Sequence, residues 1–248
     1  MKFAYTAATA KGQRPYQEDR HIAFHTLNDG MVFAVADGHG GYTTAQYVVD
    51  ILQNLWDAHA MANLGTPKTW LSLIVRRLAE DTEYFADGCT LSIVYVPPTE
   101  AKAYVAVLGD SPVIIKDAEG KIYVSPSHNV RSNLGERERA EGRGGSYYNG
   151  YIWFDGCGLQ MTRGLGDTAM AKILNREPEI ETVSLGPNSF ILLATDGLFD
   201  PSHFEDAQAI TDIVLLISGC MEAADLVKHA LDIPTGDNVT AILARSES

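Results

Sequence analysis

The hydrophobic and polar positions along the chain follow two patterns, one typical of strands and one typical of helices. Short runs of apolar and β-branched residues, bounded by Gly, Pro, Asn and Asp, predict β-strands. These runs lie at 3–9, 20–26, 31–36, 90–96, 103–108, 113–116, 121–124, 151–154, 179–185, 190–195 and 239–244. Apolar residues at positions i, i+3, i+4 and i+7 predict helices instead. One helix begins at Ala45, one runs from the N-cap Thr66 to Phe85, and two lie within 203–231.

The order of these elements predicts the fold class. Strands come in groups separated by helices, without the strict alternation of strand and helix that is typical of parallel sheets. The four strands between 90 and 124 are expected to form one meander. We predict an α+β fold with a central antiparallel β-sandwich flanked on each side by a pair of helices, giving four layers, αββα. The whole chain, 1–248, is expected to be a single domain.

Composition and charge narrow the classes of function. The 248 residues are 46% hydrophobic, with 22 Gly and 10 Pro, which is a globular composition. A net charge of −13 disfavours nucleic acid and anionic membrane surfaces as partners. No apolar run approaches the ~20 residues of a membrane-spanning helix, and no signal peptide is expected at the N-terminus. We therefore expect a cytoplasmic protein with no nucleic-acid or membrane partner, and a monomer.

The cysteines give no sign of a structural cross-link. Cys89, Cys157 and Cys220 are odd in number and widely spaced, without a C-x-x-C pair. This spacing fits neither a disulfide framework nor a structural zinc site. We expect all three to be reduced and most of them to be buried.

Carboxylates recur where the predicted strands begin or end. They are Asp37, Asp110, Asp196 and Asp237. A single Asp-Gly at a strand end is ordinarily a turn, but the recurrence favours a shared site. If all of these except Asp110 meet Glu18 at one rim within ~5 Å, each ionised pair repels by roughly 3 kcal/mol at an effective dielectric near 20. Two divalent cations would neutralise this charge, and a ligand set made of oxygen atoms selects Mg²⁺ or Mn²⁺ over Zn²⁺.

Two further side chains near these carboxylates have chemistry that suits a phosphate. Arg14 lies four residues before Glu18, and its planar guanidinium can hold a phosphate through two parallel hydrogen bonds, although an Arg in a loop is more often a surface charge. His39 lies two residues after Asp37 between small neighbours that leave it accessible to a ligand. Both are candidate catalytic residues.

Seven short motifs contain these residues or lie between them. They are RPYQED at 14–19, ADGHGG at 36–41, GCT at 88–90, LGDS at 108–111, TRGLGD at 162–167, ATDGLFD at 194–200 and GDNVT at 236–240. In this order they resemble the motifs of the metal-dependent protein phosphatases of type 2C, the PPM family. The resemblance covers nearly the whole chain, and it implies the sandwich fold and the hydrolysis of phosphoserine and phosphothreonine in proteins.

The resemblance also implies a dinuclear centre of Mn²⁺ or Mg²⁺. Asp37 would bridge the two ions, and the carbonyl of Gly38 would bind one of them. Asp196 and Asp237 would bind the other ion, and Glu18 would act through water. The implied mechanism is attack by a hydroxide that bridges the metals, with Arg14 holding the phosphate and His39 protonating the leaving oxygen.

Other positions receive weaker implications from the same resemblance. Asp110 and Asp200 match residues that hold a third, weaker metal in some members of the family. The segment 131–146 is mostly polar, which indicates a mobile or solvent-exposed stretch of chain, and it matches a flap beside the active site. Gly88 and Thr90 look structural.

Two alternative functions stay open at this point. Pro112 and Ser127 depart from the residues that are usual in the family, which keeps a non-catalytic phosphoprotein-binding module of the same fold in view. Cys157 is followed six residues later by Arg163, a formal match to phosphatases that use a cysteine nucleophile. That match is weak, because Gly156 stands where a His usually precedes the cysteine.

Overall fold

Sixteen strands and five helices make up the part of the chain that the computed structural model describes, residues 2–61, 65–200, 206–233 and 235–247. The strands are β1 Phe3–Ala10, β2 Arg20–His25, β3 Met31–Ala36, β4 Gly38–His39, β5 Gly88–Cys89, β6 Leu91–Val96, β7 Lys102–Leu108, β8 Val113–Lys116, β9 Ile122–Val124, β10 Ser146–Tyr148, β11 Tyr151–Phe154, β12 Cys157–Leu159, β13 Leu165–Gly166, β14 Glu179–Ser184, β15 Phe190–Ala194 and β16 Val239–Ser246. The helices are α1 Thr43–Met61, α2 Pro67–Asp81, α3 Leu134–Gly142, α4 Ala207–Ser218 and α5 Ala223–Asp232.

Two five-stranded sheets form the centre of the molecule. The first has the order β1-β16-β15-β8-β9 and the second has the order β14-β7-β6-β3-β2, with every neighbouring pair antiparallel. Side chains from the facing sides of both sheets pack into one buried cluster. In β3, Phe33 and Val35 belong to that cluster, whereas the alternate residues Val32 and Ala34 pack against helices on the other side. Both faces of this strand are therefore covered, which explains its unbroken apolar sequence.

A pair of helices covers the outer face of each sheet. Val48 and Leu52 of α1 and Ile74 of α2 pack on the second sheet, and Ile217 of α4 and Leu226 of α5 pack on the first. The predicted four-layer αββα architecture is therefore confirmed. The two C-terminal helices match the predicted range 203–231 except that α5 ends one residue later, at Asp232, and residues 203–205 lie outside the described part of the chain. Among the described residues, no helix has the length and apolar character needed to cross a bilayer.

The helix predicted from Thr66 to Phe85 is shorter than expected. It begins where the sequence indicates, because the Thr66 hydroxyl accepts from the Thr69 amide and Pro67 occupies the first helical position. It ends at Asp81. The Thr82 hydroxyl then donates to the Leu78 carbonyl, and Phe85 lies beyond a turn, where its ring packs edge-on against Tyr47.

The four strands between 90 and 124 do not form the single meander that we expected. The strands β6 and β7 pair in the second sheet, whereas β8 and β9 pair in the first. In the second sheet, β7 pairs with β6 on one side and with β14 on the other. The next strand along the chain, β8, therefore has no place beside β7 and joins the other sheet. The crossing segment between Leu108 and Val113 contains Asp110, which places this carboxylate at the junction of the two sheets.

The polar segment 131–146 is also more ordered than its composition indicates. Its centre is helix α3, and Glu136 and Ala140 of that helix are fully buried. Ala140 packs with residues further along the chain, among them Ile152 and Ile173. Residues 128–179, which contain this small core, are termed the excursion. Most residues of 131–146 are exposed, as the sequence indicated, but α3 buries one of its faces in a small separate core.

Candidate active site

The strand ends that carry the candidate carboxylates meet at one end of the sandwich. A cleft of about 230 Å³ opens there. Its lining includes Arg14, Glu18, Asp37, Gly38, His39, Asp110, Asp196 and Asp237. The carboxyl ends of β3, β7 and β15 and the amino ends of β2 and β16 supply these residues, because neighbouring antiparallel strands place opposite ends at the same edge. The structure thus brings together eight of the nine site residues that the sequence indicated.

Asp200 is the site residue that does not line this cleft. One of its carboxylate oxygens accepts a hydrogen bond from the Gly236 amide at 2.6 Å. It therefore holds the loop that carries Asp237. Asp110, its expected partner around a third metal, does line the cleft and accepts from the side-chain amide of Asn129 at 2.8 Å.

The residues on the other side of the cleft come from the excursion, but not from 131–146. They are Tyr151, Gly158, Leu159, Gln160 and Met161. The hydroxyl of Tyr151 accepts a hydrogen bond from the Gln160 side chain at 2.9 Å, which ties β11 to the segment after β12. The wall of the cleft is therefore built from β11, β12 and the two residues after β12, all of which follow the range that the sequence assigned to a flap.

The carboxyl groups at the floor of the cleft raise one another's pKa. Burial raises the pKa of Asp37 well above its usual range, and the charges of Asp19, Asp196 and Asp237 add to the effect. Burial likewise raises the pKa of Asp196, with Asp110 and Asp237 contributing, while a hydrogen bond with Asp37 acts in the opposite direction. The ionised form of both groups is therefore strongly disfavoured by the protein's own surroundings.

Asp19 is a member of this group whose role the sequence did not reveal. One of its carboxylate oxygens accepts hydrogen bonds from the hydroxyls of Thr195 and Thr240, at 2.9 and 2.8 Å. The other oxygen is buried with no partner among the described residues. Burial raises the pKa of Asp19 to about 6, against the effect of the two threonine hydrogen bonds. Its signal in the sequence is its place beside Glu18 in the first motif.

Arg14 contacts the carboxylate group directly. Its Nη2 atom donates to Oδ2 of Asp237 at 2.7 Å, and its Nε atom donates to the Gly236 carbonyl at 2.7 Å. The side chain is about half exposed, at 48%. It lies at the mouth of the cleft, where a phosphate could approach from solvent.

His39 is held by a residue from a distant motif. Its Nε2 atom lies 2.8 Å from Oδ2 of Asp167, whose side chain is 9% exposed. Burial alone would lower the pKa of His39, but the hydrogen bond and charge of Asp167, together with Asp110 and Glu18, outweigh burial and raise it. The environment therefore favours the imidazolium form.

Comparison with known proteins identifies the family. The family model described as protein phosphatase 2C matches residues 3–239. The chain belongs to the protein phosphatase 2C family. Curated relatives include a probable protein phosphatase 2C 11 from Arabidopsis thaliana, 31% identical over 260 residues, which cover 100% of this chain and 67% of the relative. A probable protein phosphatase 2C 45 from Oryza sativa subsp. japonica is 30% identical over 257 residues, covering 98% of this chain and 88% of the relative.

Solved structures with low sequence identity share the fold of this phosphatase. A C. elegans sex determining protein has a TM-score of 0.81 at 24% identity, covering 99% of this chain and 65% of that one. A serine-threonine phosphatase 2C from Toxoplasma gondii has a TM-score of 0.75 at 20% identity, covering 99% and 95% of the two chains. Family membership supports a protein phosphatase that acts on phosphoprotein substrates.

The cleft of this phosphatase fits divalent cations bound through oxygen. Its candidate ligands are carboxylates and one backbone carbonyl, which hard cations such as Mg²⁺ and Mn²⁺ prefer. Gly38 supplies that carbonyl where the chain is crowded, since a Cβ there would lie 2.5 Å from the Glu18 carbonyl oxygen. Burial and mutual repulsion disfavour the ionised forms of Asp37 and Asp196, and bound cations would stabilise those forms. The residues present therefore fit the metals that the family motifs imply.

A second group of acidic and histidine side chains lies in the excursion. Ligand atoms of His128, Glu136 and Glu179 lie within 4.8 Å of one another. Arg163 already bonds both carboxylates, Glu136 at 2.6 Å and Glu179 at 2.9 Å. Nδ1 of His128 accepts from the Gly109 amide at 2.9 Å, so the ring proton of the neutral histidine is at Nε2, the nitrogen that would have to bind a metal. This group is a protein-internal ion network rather than a metal site.

The same network excludes the cysteine-nucleophile alternative. Arg163 is buried and its guanidinium is committed to Glu136 and Glu179, so it cannot serve a phosphate beside Cys157. Cys157 itself lies exposed at the start of β12. The alternative that used Cys157 and Arg163 was wrong. The expectation that most cysteines are buried was also wrong, because Cys89 is buried but Cys220 is exposed like Cys157.

Proposed function

We propose that this chain is a metal-dependent phosphatase that hydrolyses phosphoserine and phosphothreonine in proteins, with two Mn²⁺ or Mg²⁺ ions in the cleft. The observation that carries the proposal is the group of carboxylates on the cleft floor. Asp37 and Asp196 have strongly raised pKa values, and Arg14 lies at the mouth of the cleft rather than between these two carboxylates. Such an arrangement calls for cations from outside the protein.

The residues that would hold the ions are those that the family motifs indicate. Asp37 and the Gly38 carbonyl would serve one ion, Asp196 and Asp237 the other, and Glu18 would act through water. When bound, the ions would supply Lewis-acid activation of water and of the phosphoryl group. Asp110 and Asp200 remain the candidates for a weaker third ion, although only Asp110 lines the cleft.

The protein's own groups would bind the phosphate and assist the leaving group. Arg14 lies at the mouth of the cleft with a guanidinium that can donate two parallel hydrogen bonds to phosphate oxygens. The leaving oxygen of serine or threonine needs a proton, because an alkoxide is a poor leaving group. His39 lines the same cleft and would donate that proton.

The alternative of a non-catalytic phosphoprotein-binding module has less support. The two unusual residues lie outside the carboxylate group. The Pro112 carbonyl accepts from the Ala194 amide, and the Ser127 hydroxyl accepts from the Asn129 amide. A binding module has no chemical need for the complete set of carboxylates beside Arg14 and His39.

The proposal is tested by hydrolysis of a phosphothreonine peptide with added Mn²⁺, with chelator, and with Mn²⁺ restored. We expect turnover with Mn²⁺, none with chelator, and recovery on restoration. Calorimetric titration with Mn²⁺ in the absence of substrate should show at least two sites in the parent and fewer in Asp37→Asn. Substrate binding without turnover at any metal concentration would favour the binding module instead.

A further inference from the structure

A small sheet separate from the sandwich brings His39 next to Asp167. Its three strands are β4, β5 and β13, each two residues long. Gly88 is the register partner of His39 on one side and of Gly166 on the other. Asp167 follows Gly166 directly, so the sheet places the side chains of His39 and Asp167 on either side of Gly88.

Gly88 leaves the space in which these two side chains meet. A Cβ at this position would lie 2.0 Å from Oδ2 of Asp167 and 2.6 Å from Nε2 of His39. These are the two atoms that form the 2.8 Å contact. Any side chain at Gly88 would therefore separate these two atoms. A glycine is required here for this contact and not only for the backbone conformation.

Asp167 is held in a costly conformation that local structure does not explain. It has a φ of 50°, in the left-handed region, and the residue is only 7% exposed. It precedes the short helical turn Thr168–Met170, where an Asp ordinarily caps the backbone amides with its side chain. Asp167 makes no such capping bond, and its carboxylate contacts His39 instead. Strain of this kind is commonly retained at functional sites.

We propose that Asp167 is a positioning residue for His39, fixing the imidazole through Nε2 so that Nδ1 is the nitrogen that serves the substrate. The inference rests on the proposed function. Nδ1 is buried and has no hydrogen-bond partner among the described residues, which leaves it as the ring nitrogen able to donate. As the P–O bond breaks, its electron pair stays on the leaving oxygen, which takes the proton from Nδ1. The ring is left neutral with its remaining proton at Nε2, facing Asp167.

The first test is Asp167→Asn, which keeps the shape and removes the charge. Under single-turnover conditions, we expect the rate on a phosphothreonine peptide to fall roughly 10- to 100-fold, part of the usual 10²–10⁴-fold contribution of a general acid. KM should stay unchanged. p-Nitrophenyl phosphate, whose leaving group needs no proton, should react within about 2-fold of the parent. The matched control is Asp155→Asn, another aspartate with left-handed φ (48°) that is exposed and does not line the cleft.

A double variant separates positioning from a general structural effect. If Asp167 acts only through His39, then His39→Ala with Asp167→Asn should lose no more activity than His39→Ala alone. Gly88→Ala should disrupt the contact between His39 and Asp167 while both side chains stay intact. It should therefore lower activity on the phosphothreonine peptide but not on p-nitrophenyl phosphate. Equal losses on both substrates, or additive losses in the double variant, would overturn the proposal.

A spectroscopic measurement tests the contact without turnover. Ring ¹⁵N chemical shifts of histidine, with His39 assigned through its absence in His39→Ala, should report a proton at Nε2 in the parent and a changed ring state in Asp167→Asn. An unchanged His39 signal in the variant would refute the contact. If the parent fails to hydrolyse phosphothreonine with Mn²⁺, the proposed function fails, while this spectrum still decides whether Asp167 holds His39.

Discussion

The cleft and the excursion each contain a buried acidic group, and the two groups have opposite electrostatic character. In the cleft, burial and mutual repulsion raise the pKa of Asp37 and Asp196 well above their usual range. In the excursion, Glu136 is fully buried, more so than Asp37 and Asp196, but hydrogen bonds from Arg163, Thr162 and Arg139 outweigh burial and lower its pKa to about 2.

The difference lies in where the positive charge comes from. Arg163 is itself buried and contacts both carboxylates of the excursion, so that group is neutralised within the protein and holds α3 to the rest of the fold. The positive groups of the cleft lie elsewhere: Arg14 is about half exposed at its edge and paired with Asp237, and His39 is paired with Asp167. A buried acidic group that lacks an internal cation is a candidate site for metal ions, whereas one that contains an arginine is a structural element.

The largest effect should follow from removing a charge on the cleft floor. Asp196→Asn should lower Mn²⁺-dependent turnover by several orders of magnitude, because a ligand charge is lost. The melting temperature in chelator should stay the same or rise, because the substitution relieves repulsion with Asp110 and Asp237. A variant that melts well below the parent in chelator would show that the carboxylates do not repel one another as described.

Removing a charge from the excursion should instead destabilise the protein. Arg163→Met should cost about 3–5 kcal/mol in free energy of unfolding, because it leaves Glu136 buried without its main partner. Denaturant unfolding in chelator measures this cost. The matched control is Arg77→Met, which breaks an exposed 2.8 Å pair with Asp81 and should cost no more than about 1 kcal/mol. Equal costs for the two variants would remove the distinction between the networks.

A pH series sharpens the same comparison. Because the pKa of Glu136 is lowered from 4.5 to about 2, its ionised form contributes full stability above pH 4.5 and loses it as pH falls towards 2. The stability gap between the parent and Glu136→Gln should therefore shrink by up to about 1.4 kcal/mol per pH unit below pH 4.5.

Neighbouring groups set the background of that measurement. Arg139 and Arg163 contact the Glu136 carboxylate, and Glu179 also contacts Arg163. Burial and then Arg163 lower the pKa of His128 to about 4. Both proteins therefore become less stable as pH falls from about 6.5, because the folded state resists protonation of this side chain. The comparison uses the difference between the two proteins, so a gap that stays constant from pH 6 to 3 would contradict the lowered pKa of Glu136.

Much of the fold and of the cleft could be predicted because their signals are local in the sequence. Strands such as β3 are apolar on both faces, which indicates a sheet covered on both sides. Asp37 and Asp196 directly follow apolar strands, so their common edge could be inferred from the sandwich alone.

The features that escaped prediction depend on tertiary pairing. Glu136 lies in a polar segment, and no neighbouring residue in the sequence indicates that its buried carboxylate would pair with Arg163. The contact of His39 with Asp167 depends on strands only two residues long, which are too short to produce a hydrophobic period.

The smallest effect on activity is expected from substituting Cys157, the candidate nucleophile of the alternative mechanism. Cys157→Ser should leave Mn²⁺-dependent turnover within about 2-fold of the parent, because Cys157 is exposed on β12 and does not line the cleft. Arg163, which would have to serve beside it, is held by Glu136 and Glu179. Chelator should abolish the activity of Cys157→Ser as completely as that of the parent. Turnover that survives chelator and disappears with Cys157 would place the chemistry on the thiol, and the cleft carboxylates would then need another explanation.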